Sequence, residues 1–248
     1  MKKVLALLAF ASLVCIACNK TPDDKPDGPD TPDGPAEYEA PITIDGDFAD
    51  WAKLDASKVA TATCDPNATK TALKLVKVYA DENNIFVYTE FEVGAVDLAD
   101  CWIPFHFYMN ADNSAATGGD SQEFADKDAE WLLETSITAY DPALFKWWGE
   151  VGADGWEWTD PSTDHTADDG WGAILPEGSG IGSSAGTLSA DGKGAYEIQI
   201  IRDMLSGVEF ADTFTLGFDI QVDWSSVGIL PNKADGELAP KLVVNVVK

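Results

Sequence analysis

From residue 71 onward the chain reads as short apolar stretches of period two, separated by clusters of glycine, aspartate and proline. The clearest is "NNIFVYTEFEV" (83–93). Ile85, Val87, Thr89, Phe91 and Val93 alternate there against Phe86, Tyr88, Glu90 and Glu92, the pattern of a strand with one buried face. Similar stretches predict strands in "TALKLVKVYAD" (71–81), "CWIPFHFYMN" (101–110), "AEWLLETSITAY" (129–140) and "LFKWWGEV" (144–151). Others follow in "AYEIQIIR" (195–202), "TFTLGFDIQVDW" (213–224) and "PKLVVNVVK" (240–248). Only "RDMLSGV" (202–208) reads as a helical turn. Many strands joined by turn chemistry predict an all-β antiparallel β-sandwich. The glycine-rich "LPEGSGIGSSAG" (175–186) lacks the Gly-Lys-Ser ending of a phosphate loop and reads as a mobile surface loop.

The start of the chain has a different character. "MKKVLALLAFASLVCIAC" (1–18) places two lysines before an apolar run too short for a membrane span, then small residues before a cysteine, the layout of a secretory signal. Its ending, "CIAC", resembles the lipobox of bacterial lipoproteins, which implies that residues 1–17 are removed and that Cys18 carries the lipid. In residues 19–40, prolines 22, 26, 29, 32 and 35 recur among aspartates with no apolar period. Such a segment cannot bury a core and is expected to be a disordered, self-repelling spacer over 18–40, ahead of one domain at 41–248. Acids soon after the cysteine resemble the export signals of lipoproteins on the outer face of some Gram-negative bacteria. The expected location is therefore the outer membrane, lipid-anchored at the cell surface.

Charge and inventory remove several function classes. Of 16 basic and 43 acidic residues, four and seven precede Pro41, which leaves 12 against 36 in the domain. Nucleic acid and anionic membrane surfaces are poor partners for that balance. With only His106 and His165 in the chain, histidine-based metal centres and catalytic triads are nearly excluded, and His106 in its alternating strand reads as a packed residue. Cys64 and Cys101 form an even pair that an oxidising compartment could join.

The order of motifs adds a resemblance. "ITIDGDFADW" (42–51), "DENNIFVYTEFEV", "AYEIQIIRDML" and "FTLGFDIQVDW" follow one another as do the corresponding strands of the family 9 carbohydrate-binding module and its wider relatives. The resemblance covers most of residues 41–248 and implies a sandwich of jelly-roll or immunoglobulin-like character. It also implies a non-catalytic role in carbohydrate binding, in place of an enzyme. Within the opening motif, Ile42 and Ile44 are expected to face a core, Asp45 and Gly46 to turn the chain, and Trp51 to close one end of the sandwich.

Two constellations carry candidate chemistry. Residues 110–131, "NADNSAATGGDSQEFADKDAEW", gather hard oxygens suited to calcium, with Asn110, Asp112, Asp120 and Asp128 as the candidate ligands. Asp and Asn also build loops without any ion, by capping turns. The second constellation is aromatic: Trp147, Trp148, Trp156, Trp158 and Trp171 fall within 25 residues. Trp147 and Trp148 must point to opposite faces of a strand and Trp156 and Trp158 to the same one, so an indole platform for sugar rings is expected from Trp147, Trp156, Trp158 and Trp171. The competing reading is an interaction or structural lipoprotein that places these indoles against an outer-membrane protein partner. Paired carboxylates carry no signal in so acidic a domain, and no residue is a candidate for catalysis.

Overall fold

A computed structural model describes residues 38–95, 102–119, 123–153, 157–159 (backbone only), 170–205, 207–234 and 237–248. The signal segment, Cys18, nearly all of the spacer, Cys101, Asp120, Trp156 and His165 lie outside them. Residues 40–248 form one compact unit. Its strands are β1 (Ala60–Thr63), β2 (Leu73–Asp81), β3 (Asn84–Glu92), β4 (Pro104–Asn110), β5 (Trp131–Ser136), β6 (Ala143–Trp147) and β7 (Glu157–Thr159). They continue with β8 (Gly170–Leu175), β9 (Gly182–Leu188), β10 (Lys193–Ile201), β11 (Thr213–Val222), β12 (Ser225–Leu230) and β13 (Leu242–Val247). No helix of the described residues is long and apolar enough to cross a membrane.

The strands form two layers. One sheet runs β1-β2-β3-β10-β9 and the other β7-β8-β6-β5-β4-β11-β12, with β13 antiparallel to β11 and parallel to β2 where the layers join. Alternation sends Val76, Val78, Ile85 and Val87 from the first sheet, and Phe105, Phe107, Leu216 and Phe218 from the second, into one shared core. These side chains are fully buried. Burying a chain of this length in one such core supplies the main driving force for the fold.

The outward faces are buried as well, which departs from the one-sided pattern expected of β3. Phe86 and Tyr88 point away from the shared core, yet they pack in a second cluster with Ile42 and Trp51. The opening stretch is thus a strap across the first sheet. It is built from turns and a 3-10 segment, Phe48–Ala52, capped by the Asp47 side chain. Trp51 is buried as expected, but it lies on the sheet's outer face and not at an end of the sandwich. Glu197 of β10 fastens the strap: its Oε1 accepts from Asp45 N at 2.8 Å and Gly46 N at 2.7 Å, and its Oε2 from Trp51 Nε1 at 3.4 Å. Gly46 sits at φ 82°, so only glycine makes this turn freely.

The glycine-rich stretch also departs from expectation. Its second half is strand β9, paired with β10 from Gly182 to Leu188. A Cβ on Gly182 would lie 1.8 Å from the Gln199 carbonyl, and one on Gly186 2.3 Å from that of Ala195. Small residues there allow close approach of two backbones. Cys64 is a free thiol, and its expected partner, Cys101, is outside the described residues.

Candidate functional site

The expected indole platform is not what the second sheet presents. Trp147 and Trp171 are 5% and 0% exposed. Their rings meet edge to face at 5.4 Å, and Trp171 meets Tyr108 at 6.2 Å. They form, with Phe124, Leu132 and Phe145, a cluster on the outer face of this sheet. Gly119 lies against Trp147, whose ring would be 2.1 Å from a Cβ there. Trp147 and Trp171 are both packing residues, buried within this cluster. Trp148, on the opposite side of β6, is 40% exposed, and the Lys146 ammonium sits 4.9 Å from its ring centroid. Trp158 pairs through its backbone with Trp171 in the parallel β7–β8 ladder. Its side chain and all of Trp156 lie outside the described residues.

The proposed calcium ligands are likewise engaged elsewhere. Asn110 is buried, its Oδ1 accepting from Ser114 N at 3.1 Å. Asp112 accepts from Ser114 N at 2.8 Å and from Thr117 Oγ1 at 3.1 Å. Asp128 is paired with the buried ammonium of Lys241, which also donates to the Asp126 carbonyl at 2.6 Å. These contacts make the loop a self-capped turn clipped to β13's approach, and among the described residues no group of three or more His, Cys, Asp or Glu could hold a metal ion. Asp120, the fourth candidate ligand, lies outside the described residues. Glu130 closes the same loop: Oε1 accepts from Ala111 N at 2.9 Å and Asp112 N at 3.0 Å, while Oε2 is buried without a partner. Burial, with a smaller contribution from neighbouring Asp112, pushes its carboxyl up to about 7.

Another group of residues does converge. The β4–β11 register sets His106 opposite Asp219, and the β4–β5 register sets it opposite Glu134. Ile103, Phe105, Phe107 and Met109 pack in the shared core, so His106 and Tyr108 of β4 take the outer side. His106 is 2% exposed, as befits a packed histidine, but it is packed in a polar chain. Its Nε2 lies 2.8 Å from Glu134 Oε2 and its Nδ1 3.2 Å from Gln221 Nε2. Gln221 Nε2 also donates to Asp219 Oδ2 at 2.7 Å, and Ser226 Oγ to Asp219 Oδ1 at 2.5 Å. Burial raises the Asp219 carboxyl above the ordinary carboxylate range, against the lowering effect of these hydrogen bonds.

Two exposed tryptophans flank the strands that carry this network. Trp102 precedes β4 and is 40% exposed; Trp224 is 62% exposed. Val222 pairs with Ser225, so Asp223 and Trp224 are the two-residue turn between β11 and β12. Both have left-handed backbone, at φ 50° and 60°. Such hairpin turns normally take Asn-Gly, and a bulky side chain there costs about 1–2 kcal/mol. The β4–β11 ladder ends at Phe105 opposite Ile220, three residues from Trp102 on one strand and four from Trp224 on the other. From His106 to Trp102 is four residues, about 13 Å of extended chain. Exposed indoles beyond one end of β4 and β11 and a polar network along these strands supply the residue types of a small-molecule site.

No family model matches the chain, and no curated protein matches it. Among solved structures it is similar to a family 9 carbohydrate-binding module from Caldicellulosiruptor kristjanssonii in complex with glucose, with 14% identity, 83% of this chain and 82% of that chain covered, and a TM-score of 0.36. It is also similar to such a module from the same organism in complex with cellotriose, with 10% identity, 83% and 80% covered, and a TM-score of 0.34.

Proposed function

We propose that the domain is a non-catalytic carbohydrate-binding module that holds a sugar between Trp102 and Trp224, above the network of His106, Glu134, Gln221 and Ser226. The observation that carries this reading is Trp224: an indole 62% exposed at a hairpin tip, in backbone that favours glycine. Strain of this kind persists where something other than stability selects it. Indole faces stack on the C–H faces of sugar rings, and carboxylate and amide oxygens accept hydroxyl protons. His106 and Asp219 are almost wholly buried and bonded within the chain of contacts, so they orient Glu134 and Gln221 and do not stand as a free acid and base. In the same proposal, Cys18 carries the lipid and the acidic spacer holds the module out from the outer membrane.

A glycan panel titrated into the full chain, followed by intrinsic tryptophan fluorescence, tests the site. Trp102→Ala should lower affinity about tenfold or more while leaving the circular dichroism spectrum and melting temperature close to wild type. Undiminished binding by Trp102→Ala and by Trp224→Ala together would place the site elsewhere.

A further inference from the structure

The hydrogen bonds around His106 have a fixed direction. An amide nitrogen only donates, so Gln221 Nε2, which reaches Asp219 Oδ2 at 2.7 Å and His106 Nδ1 at 3.2 Å, makes Nδ1 an acceptor. The ring proton is then on Nε2 and is donated to Glu134 at 2.8 Å. The cluster holds two carboxyl groups, Glu134 and Asp219, served among the described residues by an imidazole, a carboxamide and a hydroxyl. Among the described residues neither carboxyl group has a lysine or arginine partner, and Lys70, the cation on neighbouring Glu123, is already paired at 2.5 Å.

What this chain of bonds leaves for a ligand is all of one kind. Glu134 keeps one oxygen and is the most accessible carboxyl of the set, its side chain 19% exposed. Gln221 keeps its carbonyl oxygen, and Ser226 keeps the lone pairs of its hydroxyl. Each is an acceptor, so the ligand must bring the donors. A hydroxyl brings one; an ammonium brings three together with the charge that a half-buried carboxylate lacks. Apart from the indole N–H groups, a ligand carboxylate would meet acceptors, within a domain carrying 36 acids against 12 bases.

Resting on the carbohydrate reading above, we propose that this site selects amino sugars: an unacetylated hexosamine whose ammonium pairs with Glu134 while its ring lies against the indoles, in preference to neutral hexoses, with uronates excluded. The test is calorimetric titration of the full chain at neutral pH and low salt with three matched probes: glucosamine oligomers, glucose oligomers and glucuronate-containing oligomers. Glucosamine oligomers should bind at least tenfold tighter than glucose oligomers, uronates should give no saturable heat, and Glu134→Gln should bring the ratio of the first two close to one. Equal affinity for glucosamine and glucose in the wild type, or a preference that survives Glu134→Gln, overturns the selectivity and leaves the carbohydrate reading standing. Binding of none of the three, or tightest binding by the uronate, removes this proposal, and the first of these outcomes counts against carbohydrate binding itself.

Discussion

The two outer faces of the sandwich solve the same physical problem in opposite ways. Each carries a buried carboxyl group at mid-strand, Glu197 on the first sheet and Asp219 on the second, both at most 1% exposed. Glu197 receives three N–H groups from a distant segment of its own chain, and those bonds hold the strap down over Phe86 and Tyr88. Asp219 receives donors only from side chains beside it, and the network it anchors runs outward to Glu134 and to a rim of exposed indole. A buried carboxylate on a sheet face closes that face when the fold supplies all of its donors. When side chains of the same sheet supply them, as around Asp219, the carboxylate fastens no distant segment over the face.

The comparison can be broken most severely on the strap side. Glu197→Ala leaves two backbone amides and an indole N–H without acceptors under a packed cluster, and should cost about 3 kcal/mol or more in urea unfolding. A loss under 1 kcal/mol would mean that apolar contact alone holds the strap. On the other face the smaller change is the more informative. Trp224→Gly relieves left-handed strain, so it should stabilise the fold by about 1 kcal/mol while weakening sugar binding at least tenfold. Denaturant midpoints and fluorescence titrations would show both effects, and a destabilised glycine variant would show that the indole packs against the fold.

The third effect comes from pH. Glu130's carboxyl is raised from 4.5 to about 7 in the folded state, chiefly by burial, so ionising it costs the folded state. Its contribution to stability is full below pH 4.5 and is lost as pH rises through about 7. The melting temperature of the wild type should therefore fall more steeply over that window than that of Glu130→Gln, whose amide oxygen can still accept from Ala111 and Asp112. Parallel pH profiles for the two proteins would assign the dependence to other acids.

Strand positions were legible in the sequence, since β2, β3, β4, β5, β11 and β13 lie within the predicted stretches and β10 begins two residues ahead of its own. Alternation is a local signal. The strap was legible as a motif and not as a cover, because its shape depends on Glu197, about 150 residues away. Strand β9 was hidden by the absence of apolar side chains where backbones approach closely. The candidate site was the least legible part. Tryptophan density drew attention to residues 147–171, where two of the indoles fill a core, whereas Trp102 and Trp224 stand alone at strand ends. One local signal was present: "VDWSS" puts tryptophan where a hairpin turn calls for glycine.

The β4–β11 pairing has a temporal meaning too. His106 and Gln221 meet across 115 residues of intervening chain. Nearly the whole domain must be made before the two strands can join, and closing so long a loop is slow compared with forming a hairpin. The face they form is therefore the late product of folding. No contiguous half of the chain contains it, so under the proposed function a nascent or truncated protein has no surface with which to engage a sugar before the fold is complete.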